Sequence, residues 1–532
     1  MPLTKMKLIA IIPILLLAVI GCKKSNPASD TPNNSNTNSN DPNQYDIVIY
    51  GATSSGVIAA VQAVKLGKSV VLISNYARIG GMTTNGLSNT DIGNDKIVGG
   101  LTKQFYEKIG HYYGNNNPIY RFEPKAALQV FNSYISDNKI VVLYNERLLL
   151  KNGVEKADGK IKDIILESGK KIMGEEFLDT SYEGDLMAQA GVSFTIGRES
   201  NYDYNETYDG LANPFKIDVD PYINAGDPKS GLLPRISTLN SPQRGAKSDL
   251  IMSYNFRLCL TNEAGNKATI TKPADYNEQQ YELLFRALKK DSSISLSAMI
   301  NLPGNKFDAN SSGSPFSFDY LGGNRAYVNA DYTTREQIKK DHQTYDQGLL
   351  WTLQNDSRVP ESVRKSYSQY GLAKDEFLDN NNWPDEMYVR ETRRMIGLAV
   401  LTQSNILNKV TVNDPIGMGS YKIDSHNVEF YVTNGILYAE GEVEQNINGP
   451  YGISYKAIVP QSKDCTNLLV PVCLSATHVG FCSIRLEPQY MILGQSAAIA
   501  ASLAIDNNTT VQDVDYAKLK PLLLANKQIL SY

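Results

Sequence analysis

The chain has 532 residues and a formal net charge of −4, with acidic and basic side chains interspersed. It has no basic run or stripe of the kind that marks a nucleic-acid-binding surface, so we expect no nucleic acid among its partners. Tyr45–Tyr532 exceeds the length of one ordinary hydrophobic core, and we expect two or three lobes there.

The first residues have the pattern of an export signal. A basic start precedes the apolar run Leu8–Ile20, which is shorter than the roughly 20 residues that span a bilayer. The run leads to Gly21 and Cys22, and a small residue before a lone cysteine is typical of a bacterial lipoprotein signal. We interpret residues 1–22 as such a signal, with Cys22 as the lipidated residue. An uncleaved N-terminal anchor is the alternative.

Residues 23–44 are predicted to be a disordered linker. Ser25–Gln44 consists almost entirely of Ser, Asn, Asp, Thr and Pro, and it has too few apolar side chains to offset the entropy cost of ordering. No acidic cluster follows Cys22. We therefore expect a protein that is lipid-anchored in the outer membrane and faces the periplasm.

Cysteine and histidine are too few and too scattered for the common metal sites. The cysteines after Cys22 are Cys259, Cys465, Cys473 and Cys482, and none of them forms a C-x-x-C pair. This argues against an iron–sulfur cluster and a structural zinc site. They are able to form disulfides in an oxidising compartment or to serve as small buried hydrophobes. The chain has only 4 histidines, which argues against a histidine-based metal centre.

The segment Tyr45–Ser74 predicts a strand, a glycine turn, a helix of small residues and a second, parallel strand. The turn reads Gly51-Ala52-Thr53-Ser54-Ser55-Gly56, which is close to the fingerprint that holds a dinucleotide pyrophosphate. Thr53 replaces the middle glycine, and Ser74 stands where an acid normally binds the adenosine ribose. The helix N-terminus still offers N–H groups to phosphate. An ordinary strand–helix turn is the alternative.

Two later segments favour the dinucleotide interpretation. Arg78 precedes the paired glycines Gly80 and Gly81, so charge and a closely approaching backbone come together. A glycine-rich surface turn is the alternative there. The segment Asp179–Asp185 predicts a turn from a strand into a helix. Asp185 either contacts a cofactor or only stabilises the first helical turn.

The remaining elements predict an α/β fold. Helices are expected at 101–114, 123–138, 278–289, 334–354, 391–404 and 493–506, and strands at 140–145, 147–152, 160–168 and 170–179. A buried strand and turn are expected at 467–482. We predict a Rossmann-like dinucleotide-binding domain in two parts, 45–200 and 456–532. A large α+β insertion, 201–455, would separate them and form the substrate lobe.

Seven stretches together resemble a known family. They are "GATSSGVIAA", "GGMTTNGLSNTDIG", "DTSYEGDLMAQAGVSFTIGRES", "SYNFRLCLT", "YVRETRRMIG", "DPIGMGSYKIDSHN" and "NLLVPVCLSATHVGFCSIRLEPQYMILGQSAAIAA". Over Tyr45–Ile505 the chain resembles the FAD-dependent oxidoreductases that include relatives of the flavoprotein subunit of heterodisulfide reductase. The resemblance implies a glutathione-reductase-type flavoprotein fold, FAD as cofactor and a small-molecule substrate. The cluster-binding cysteines of the heterodisulfide reductase branch are absent, so we expect no iron–sulfur cluster.

The resemblance also implies which residues bind FAD. They are Gly51, Ala52, Thr53, Ser54, Ser55, Gly56, Ser74, Arg78, Gly80, Gly81, Met82, Thr180, Ser181, Asp185, Glu487, Gly494, Gln495 and Ser496. The helix near Gly494 would direct its N-terminus at the flavin pyrimidine edge, where negative charge grows on reduction.

Two histidines are candidates for proton transfer. His478 is the first, because the charge of an imidazole is easily tuned near neutral pH, and a structural histidine is the alternative. His426 is the second candidate. Asn85, Arg257 and Arg485 are candidates for binding the substrate.

We therefore predict a membrane-tethered FAD-dependent oxidoreductase that moves hydride or electrons between a small substrate and flavin. The exported location suggests a carbohydrate. The alternative is a non-catalytic, lipid-anchored glycan-binding protein on a flavoprotein fold. A nicotinamide-only dehydrogenase leaves the Arg78–Met82 segment unexplained. Arg257 and the arginines of "RETRR" are candidates for holding an anionic substrate. For "RETRR" the alternative is a solvated helix face.

Overall fold

The structure is a computed structural model that describes residues 41–238 and 243–532. Its strands are β1 (Gln44–Tyr50), β2 (Val70–Ile73), β3 (Val141–Leu143), β4 (Val154–Ala157), β5 (Lys160–Ile165), β6 (Lys171–Asp179), β7 (Phe194–Thr195), β8 (Phe215–Ile217), β9 (Ile236–Thr238), β10 (Leu258–Thr261), β11 (Lys267–Ala268), β12 (Ala298–Leu302), β13 (Lys306–Asn310), β14 (Gly371–Ala373), β15 (Arg394–Met395), β16 (Pro415–Gly419), β17 (Ile423–Ser425), β18 (Glu429–Thr433), β19 (Ile436–Glu440), β20 (Val443–Gln445), β21 (Tyr451–Ser454) and β22 (Leu468–Leu469). Its α-helices are α1 (Ser54–Lys65), α2 (Gly100–Tyr112), α3 (Pro124–Asp137), α4 (Asp185–Gln189), α5 (Glu282–Lys290), α6 (Tyr332–Asn355), α7 (Glu361–Tyr367), α8 (Gln403–Ile406), α9 (His478–Ile484), α10 (Glu487–Asn507) and α11 (Tyr516–Ala525).

A seven-stranded sheet carries the predicted dinucleotide turn. Its order is β3-β2-β1-β6-β5-β4, and β22 also pairs with β6. β1 is parallel to both β2 and β6, as the sequence predicts for the first pair. The carboxyl ends of these three strands therefore meet at one edge, where the strand order changes direction, and ligands of open α/β sheets bind at such an edge.

Small residues let two helices pack closely against each other beside this sheet. α1 and α10 are almost completely buried. A Cβ atom on Gly494 of α10 would lie 2.3 Å from the carbonyl oxygen of Ser55 in α1, so only glycine permits this approach. The close packing brings the N-terminal part of α10 against the N-terminus of α1, directly behind the edge of the sheet.

The middle of the chain builds two further sheets around a second core. A five-stranded sheet has the order β11-β14-β10-β13-β12, and a four-stranded sheet has the order β8-β19-β18-β9. The core beside them takes side chains from α5 and α6. The mixed α/β class is confirmed, whereas the predicted boundaries at 200/201 and 455/456 stay a prediction.

The buried contacts of Arg394 are incompatible with the helix predicted at 391–404. Residues 391–404 contain β15 and α8 instead of one helix. Arg394 is fully buried there and donates to Glu199, Glu391 and the carbonyl of Ala476. A solvated helix face could not reach such partners. Residues 147–152 also lack the predicted strand and contribute only an isolated bridge at Leu148.

Other predicted elements are observed with shifted bounds. α2, α3 and α6 lie where the sequence predicts them, and the predicted helix at 278–289 begins as a 3-10 turn before α5. In the predicted strand and turn at 467–482, His478 already begins α9. Cys259, Cys465, Cys473 and Cys482 are buried and unpaired.

The predicted signal and lipidation site, Cys22 included, lie outside the described residues. Among residues 41–238 and 243–532, no helix has both the length and the apolar composition that crossing a membrane requires.

A buried ion pair ties the chain after β7 to the four-stranded sheet. Arg198 donates from Nη1 and Nη2 to the two carboxylate oxygens of Glu440, each over 2.8 Å, and both side chains are 0% exposed. Removing one partner of such a pair leaves a buried charge without compensation.

We therefore expect Glu440→Ala to lower the free energy of unfolding by about 3–5 kcal/mol, because Arg198 stays buried. Chemical denaturation followed by circular dichroism measures the change. The control is Glu155→Ala, which removes an exposed carboxylate paired with Lys171 and should cost about 1 kcal/mol or less. Equal costs for the two variants would contradict this interpretation.

Candidate functional site

The glycine turn has the backbone conformation that a dinucleotide turn needs. Gly51 has φ +103°, and a Cβ atom there would lie 2.5 Å from the backbone nitrogen of Ser181. Thr53 is the N-cap of α1: its hydroxyl accepts from Gly56 N and donates to the carbonyl of Thr180 over 2.8 Å. The residue that replaces the middle glycine thus caps the helix and joins it to the end of β6.

The turn after β6 contacts the glycine turn. The Thr180 hydroxyl lies 2.5 Å from the carbonyl of Gly51 and 3.0 Å from that of Tyr50. Asp179 accepts from Ser181 and from the backbone of Met187, which fixes the turn into α4.

One carboxylate joins three of the predicted cofactor segments. Glu487, the first residue of α10, accepts from Ser54 Oγ over 2.5 Å, from Thr83 Oγ1 over 2.8 Å and from Tyr182 OH over 2.7 Å. These donors belong to the N-terminus of α1, the segment after Arg78 and the turn after β6. The carboxyl group is 5% exposed, and burial raises its pKa.

A narrow crevice opens at this edge of the sheet. Its lining residues are Gly51, Ala52, Thr53, Ser74, Asn75, Tyr76, Ser181, Tyr182, Glu183 and Glu386. The crevice has a volume of about 30 Å³. The Ser74 hydroxyl donates to the carbonyl of Tyr76. A serine at this position is neutral, whereas the usual acid is charged. Burial and the neighbouring Glu183 raise the pKa of Glu386 to about 8.

Two predicted cofactor residues do not line the crevice and are engaged in ion pairs. Arg78 is 7% exposed and pairs with Asp379 and Asp385 over 3.1 and 2.8 Å. Asp185 pairs with Arg335 over 2.6 Å and with Arg393 over 2.9 Å. The charge of each side chain is therefore compensated within the protein.

Residues of the C-terminal helix have packing roles in this structure. The Gln495 amide accepts from Leu101 N and donates to Gln62 and Asn526, so its hydrogen bonds hold α1, α2 and α11 together. Ser496 donates to the carbonyl of Ile416.

Gly80, Gly81 and Met82 follow Arg78 next to the crevice, and Met82 N donates to Tyr182 OH over 2.9 Å.

A larger polar cavity of about 350 Å³ brings together three residues that the sequence singles out, His426, Arg257 and Arg485. It is also lined by Asp91, Ala298, Asn310, Ser311, Ser312, Gly313, Tyr388, Tyr421, Lys422, Asp424, Ser425, Glu442 and Glu444. We call it the polar cavity. Short chain segments connect it to the crevice region: Tyr388 follows the crevice residue Glu386 by two positions, and Arg485 precedes Glu487 by two.

His426 is oriented by a buried carboxylate. Its Nδ1 lies 2.8 Å from Asp319 Oδ2, and Asp319 in turn pairs with Arg390 over 2.8 Å. Its Nε2 lies 3.7 Å from Asp424 Oδ2 in the polar cavity. Burial and Arg390 lower the pKa of His426, but Asp319 and Asp424 outweigh them, and the pKa is raised above its ordinary value.

His478 lies behind the polar cavity and does not line it. Its Nδ1 is 2.9 Å from Glu391 Oε1, and its Nε2 is 3.2 Å from the Ser425 hydroxyl. It is 2% exposed. Asn85, the third substrate candidate, donates to Glu386 and to the carbonyl of Gly81, beside the crevice instead of in the polar cavity.

Strand alternation separates the two histidines. Asp424 is opposite Glu444 and Ser425 is opposite Val443 in the β17–β20 pair. Because side chains alternate along a strand, Asp424 and Glu444 belong to one face, and Ser425 and Val443 to the other. Asp424 and Glu444 line the polar cavity. Ser425 also contributes to the lining, but its hydroxyl contacts His478, and Val443 is in the core.

Asp319, Tyr388, Tyr421 and Glu442 are site residues that the sequence analysis missed. They come from separate parts of the chain and meet only in the folded protein. Because these residues are far apart in sequence, no local pattern points to them.

A family model described as FAD dependent oxidoreductase matches residues 46–523. The chain belongs to the FAD-dependent oxidoreductase family. FAD is its cofactor, and the protein is an oxidoreductase, so the non-catalytic alternative is set aside. Comparison with curated proteins gives no match.

Solved flavin enzymes are similar to part of the chain. A flavin monooxygenase from Stenotrophomonas maltophilia is 16% identical, with 26% of this chain and 38% of that chain covered and a TM-score of 0.20. An L-amino acid deaminase from Proteus vulgaris is 14% identical, with 30% and 53% covered and a TM-score of 0.23. A bacillithiol disulfide reductase from Staphylococcus aureus is 14% identical, with 26% and 38% covered and a TM-score of 0.18. The chain thus spans about half or less of each of these proteins.

The residues at the sheet edge fit the chemistry of FAD in this oxidoreductase. The Ser55 hydroxyl in the first turn of α1 is buried beside Gly494 of α10, and within the described residues it has no hydrogen-bond partner. The N–H groups of the same turn are donors of the kind that a pyrophosphate accepts. The crevice is much smaller than the 300–1,000 Å³ of typical ligand pockets.

Glu487 offers a direct test of the cofactor site in this FAD-dependent enzyme. We expect Glu487→Gln to weaken FAD binding at least tenfold, because an amide cannot accept from three hydroxyls as a carboxylate does. Fluorescence titration of the FAD-depleted protein with FAD measures the dissociation constant.

The matched control for this test is Glu429→Gln, which alters another buried carboxylate that accepts from Ser237 and pairs with Arg325. It should leave FAD affinity unchanged. A Glu487→Gln variant with wild-type affinity would show that Glu487 does not organise the cofactor site.

Proposed function

We propose that the protein oxidises a hydroxyl group of a small carbohydrate-like substrate held in the polar cavity. The observation that carries this proposal is the Asp319–His426 pair at the wall of the cavity, whose lining also comes within two residues of the crevice lining. Carboxylates, hydroxyls, an amide and two tyrosines line the cavity. These groups are suited to recognising a molecule that carries many hydroxyls.

The Asp319–His426 pair supplies a base for the substrate hydroxyl. Because a carboxylate only accepts hydrogen bonds, Asp319 holds the proton on His426 Nδ1, and the Nε2 of the neutral ring is left as the acceptor. Nε2 takes the proton of the hydroxyl, and Asp319 stabilises the imidazolium that forms. Bound FAD supplies the acceptor for the hydride of the same carbon.

Arg485 and Tyr388 are proposed to orient the substrate. Arg485 donates to Tyr388 OH over 3.0 Å and to Asp424. This network fixes the side of the cavity that adjoins α10. A rigid wall of this kind holds the reacting hydroxyl near His426.

The other parts of the proposal rest on sequence patterns. We propose that Cys22 carries a lipid that tethers the enzyme to the outer membrane, facing the periplasm, and that 201–455 is an insertion that forms the substrate lobe. We also propose a relation to the flavoprotein subunit of heterodisulfide reductase, without its iron–sulfur chemistry. The "AVIGC" pattern and the seven family-like stretches support these points.

The proposed function is tested by an anaerobic screen of sugars and small acids with the FAD-loaded protein. We expect one or more sugars to bleach the flavin absorbance near neutral pH. Bleaching by small acids alone, or by no compound of either class, would contradict the proposal.

We expect His426→Asn to slow flavin reduction by about 10²–10⁴-fold, because the substrate hydroxyl loses its base. Stopped-flow absorbance with the best sugar measures the rate. The matched control is His111→Asn on α2, which should react like the wild type. A rate within threefold of the wild type for His426→Asn would exclude its role as base.

The pH profile tests the Asp319–His426 pair separately. The base must be neutral, so the rate should rise with pH through a midpoint above 6.5, since the pKa of His426 is raised. Asp319→Asn removes a carboxylate that raises this pKa and should move the midpoint to lower pH. An unchanged midpoint in this variant would show that another group controls the profile.

A further inference from the structure

The cationic side chains of the polar cavity are all compensated. Arg257 donates to both carboxylate oxygens of Asp308 over 3.0 and 2.6 Å. Arg485 pairs with Asp424 over 3.3 Å, and Lys422 pairs with Glu444. Among the described residues that line the cavity, each arginine and lysine therefore has a carboxylate partner, and none is left unpaired to hold an anionic substrate.

Two carboxylates of the same cavity form no direct ion pair of this kind within the described residues, although burial is opposed at Asp91 by the charges of Arg257 and Arg485. Among the described residues, neither Asp91 nor Glu442 forms an ion pair with a lysine or arginine. Asp91 is hydrogen-bonded to the Tyr421 hydroxyl, and Glu442 accepts from the Asn427 amide. His426 lies near Glu442 but is neutral when it acts as a base.

From this charge pattern we propose that the substrate carries a protonated amine besides its hydroxyls, as an amino sugar or a similar amino alcohol does. The proposal rests on the proposed function of the same cavity. The ammonium group binds at Asp91 and Glu442, and the paired arginines and the tyrosines contact the hydroxyl-bearing part.

The electrostatics of the cavity agree with this assignment. Burial raises the pKa of Asp91, and it raises that of Glu442 to about 7. A bound ammonium group restores the charged form of both carboxylates, and charge-assisted hydrogen bonds form to each. A carboxylated substrate would instead meet like charge at these two carboxylates.

The test compares sugars of one size and different charge. Glucosamine, glucose, N-acetylglucosamine and glucuronate are titrated into the FAD-loaded protein under anaerobic conditions. Isothermal calorimetry gives the dissociation constants, and flavin bleaching gives the limiting rates. We expect glucosamine to bind at least tenfold more tightly than the two neutral sugars, and glucuronate to bind most weakly.

Two variants with opposite expected effects make the test specific. Glu442→Gln should weaken glucosamine binding about tenfold more than it weakens glucose binding. Lys422→Met releases Glu444 from its ion pair and should strengthen glucosamine binding. Glu155→Gln, on the exposed strand β4, is the control for a general change in surface charge.

The outcomes separate the two proposals. If glucose bleaches the flavin and glucosamine binds no better than glucose, the amine assignment is wrong and the proposed oxidation stands. If no sugar bleaches the flavin but glucosamine binding depends on Glu442 and Lys422 as described, the amine assignment stands and the proposed oxidation is wrong. Equal affinity for all four sugars overturns the amine assignment whatever the bleaching shows.

Discussion

The buried Glu487 carboxylate is the interaction on which the site depends. It accepts three hydroxyl hydrogen bonds from segments that are far apart in the chain, and it begins the helix that packs against α1. Removing this acceptor would leave three buried hydroxyls to find new partners at once. The same residue lies two positions from Arg485, so it also fixes where the polar cavity begins relative to the sheet edge.

The geometry separates holding the cofactor from recognising the substrate. The sheet edge contributes glycines, hydroxyls and the N-terminus of α1, which suit a pyrophosphate. The polar cavity contributes a histidine, paired cations and two carboxylates that have no lysine or arginine ion-pair partner among the described residues. Ser425, the last residue of β17, contacts both regions: it precedes His426 in the chain, and its hydroxyl lies 3.2 Å from Nε2 of His478.

The sequence predicts the local parts of this design and misses the distant partners. The β1–α1–β2 unit is predicted because its hydrophobic pattern, glycine turn and small residues all act over short distances. Arg78 and "RETRR" were interpreted from their neighbours in sequence, whereas their partners include Asp379, Asp385 and Glu199. His426 is predicted from the sequence as a candidate for proton transfer, but its orientation by Asp319 depends on a contact across 107 positions. A pattern of nearby residues contains no information about such partners.

The central claim is that the flavin ring reaches the polar cavity, so that His426 and the reacting carbon share one space. A crystal structure of the FAD-loaded protein tests it most directly. The account predicts density for the pyrophosphate at the N-terminus of α1 and for the flavin ring beside Tyr388 and Arg485. A flavin ring directed away from the polar cavity, for example toward the separate cavity lined by Asp249, Asn324 and Thr334, would contradict the account.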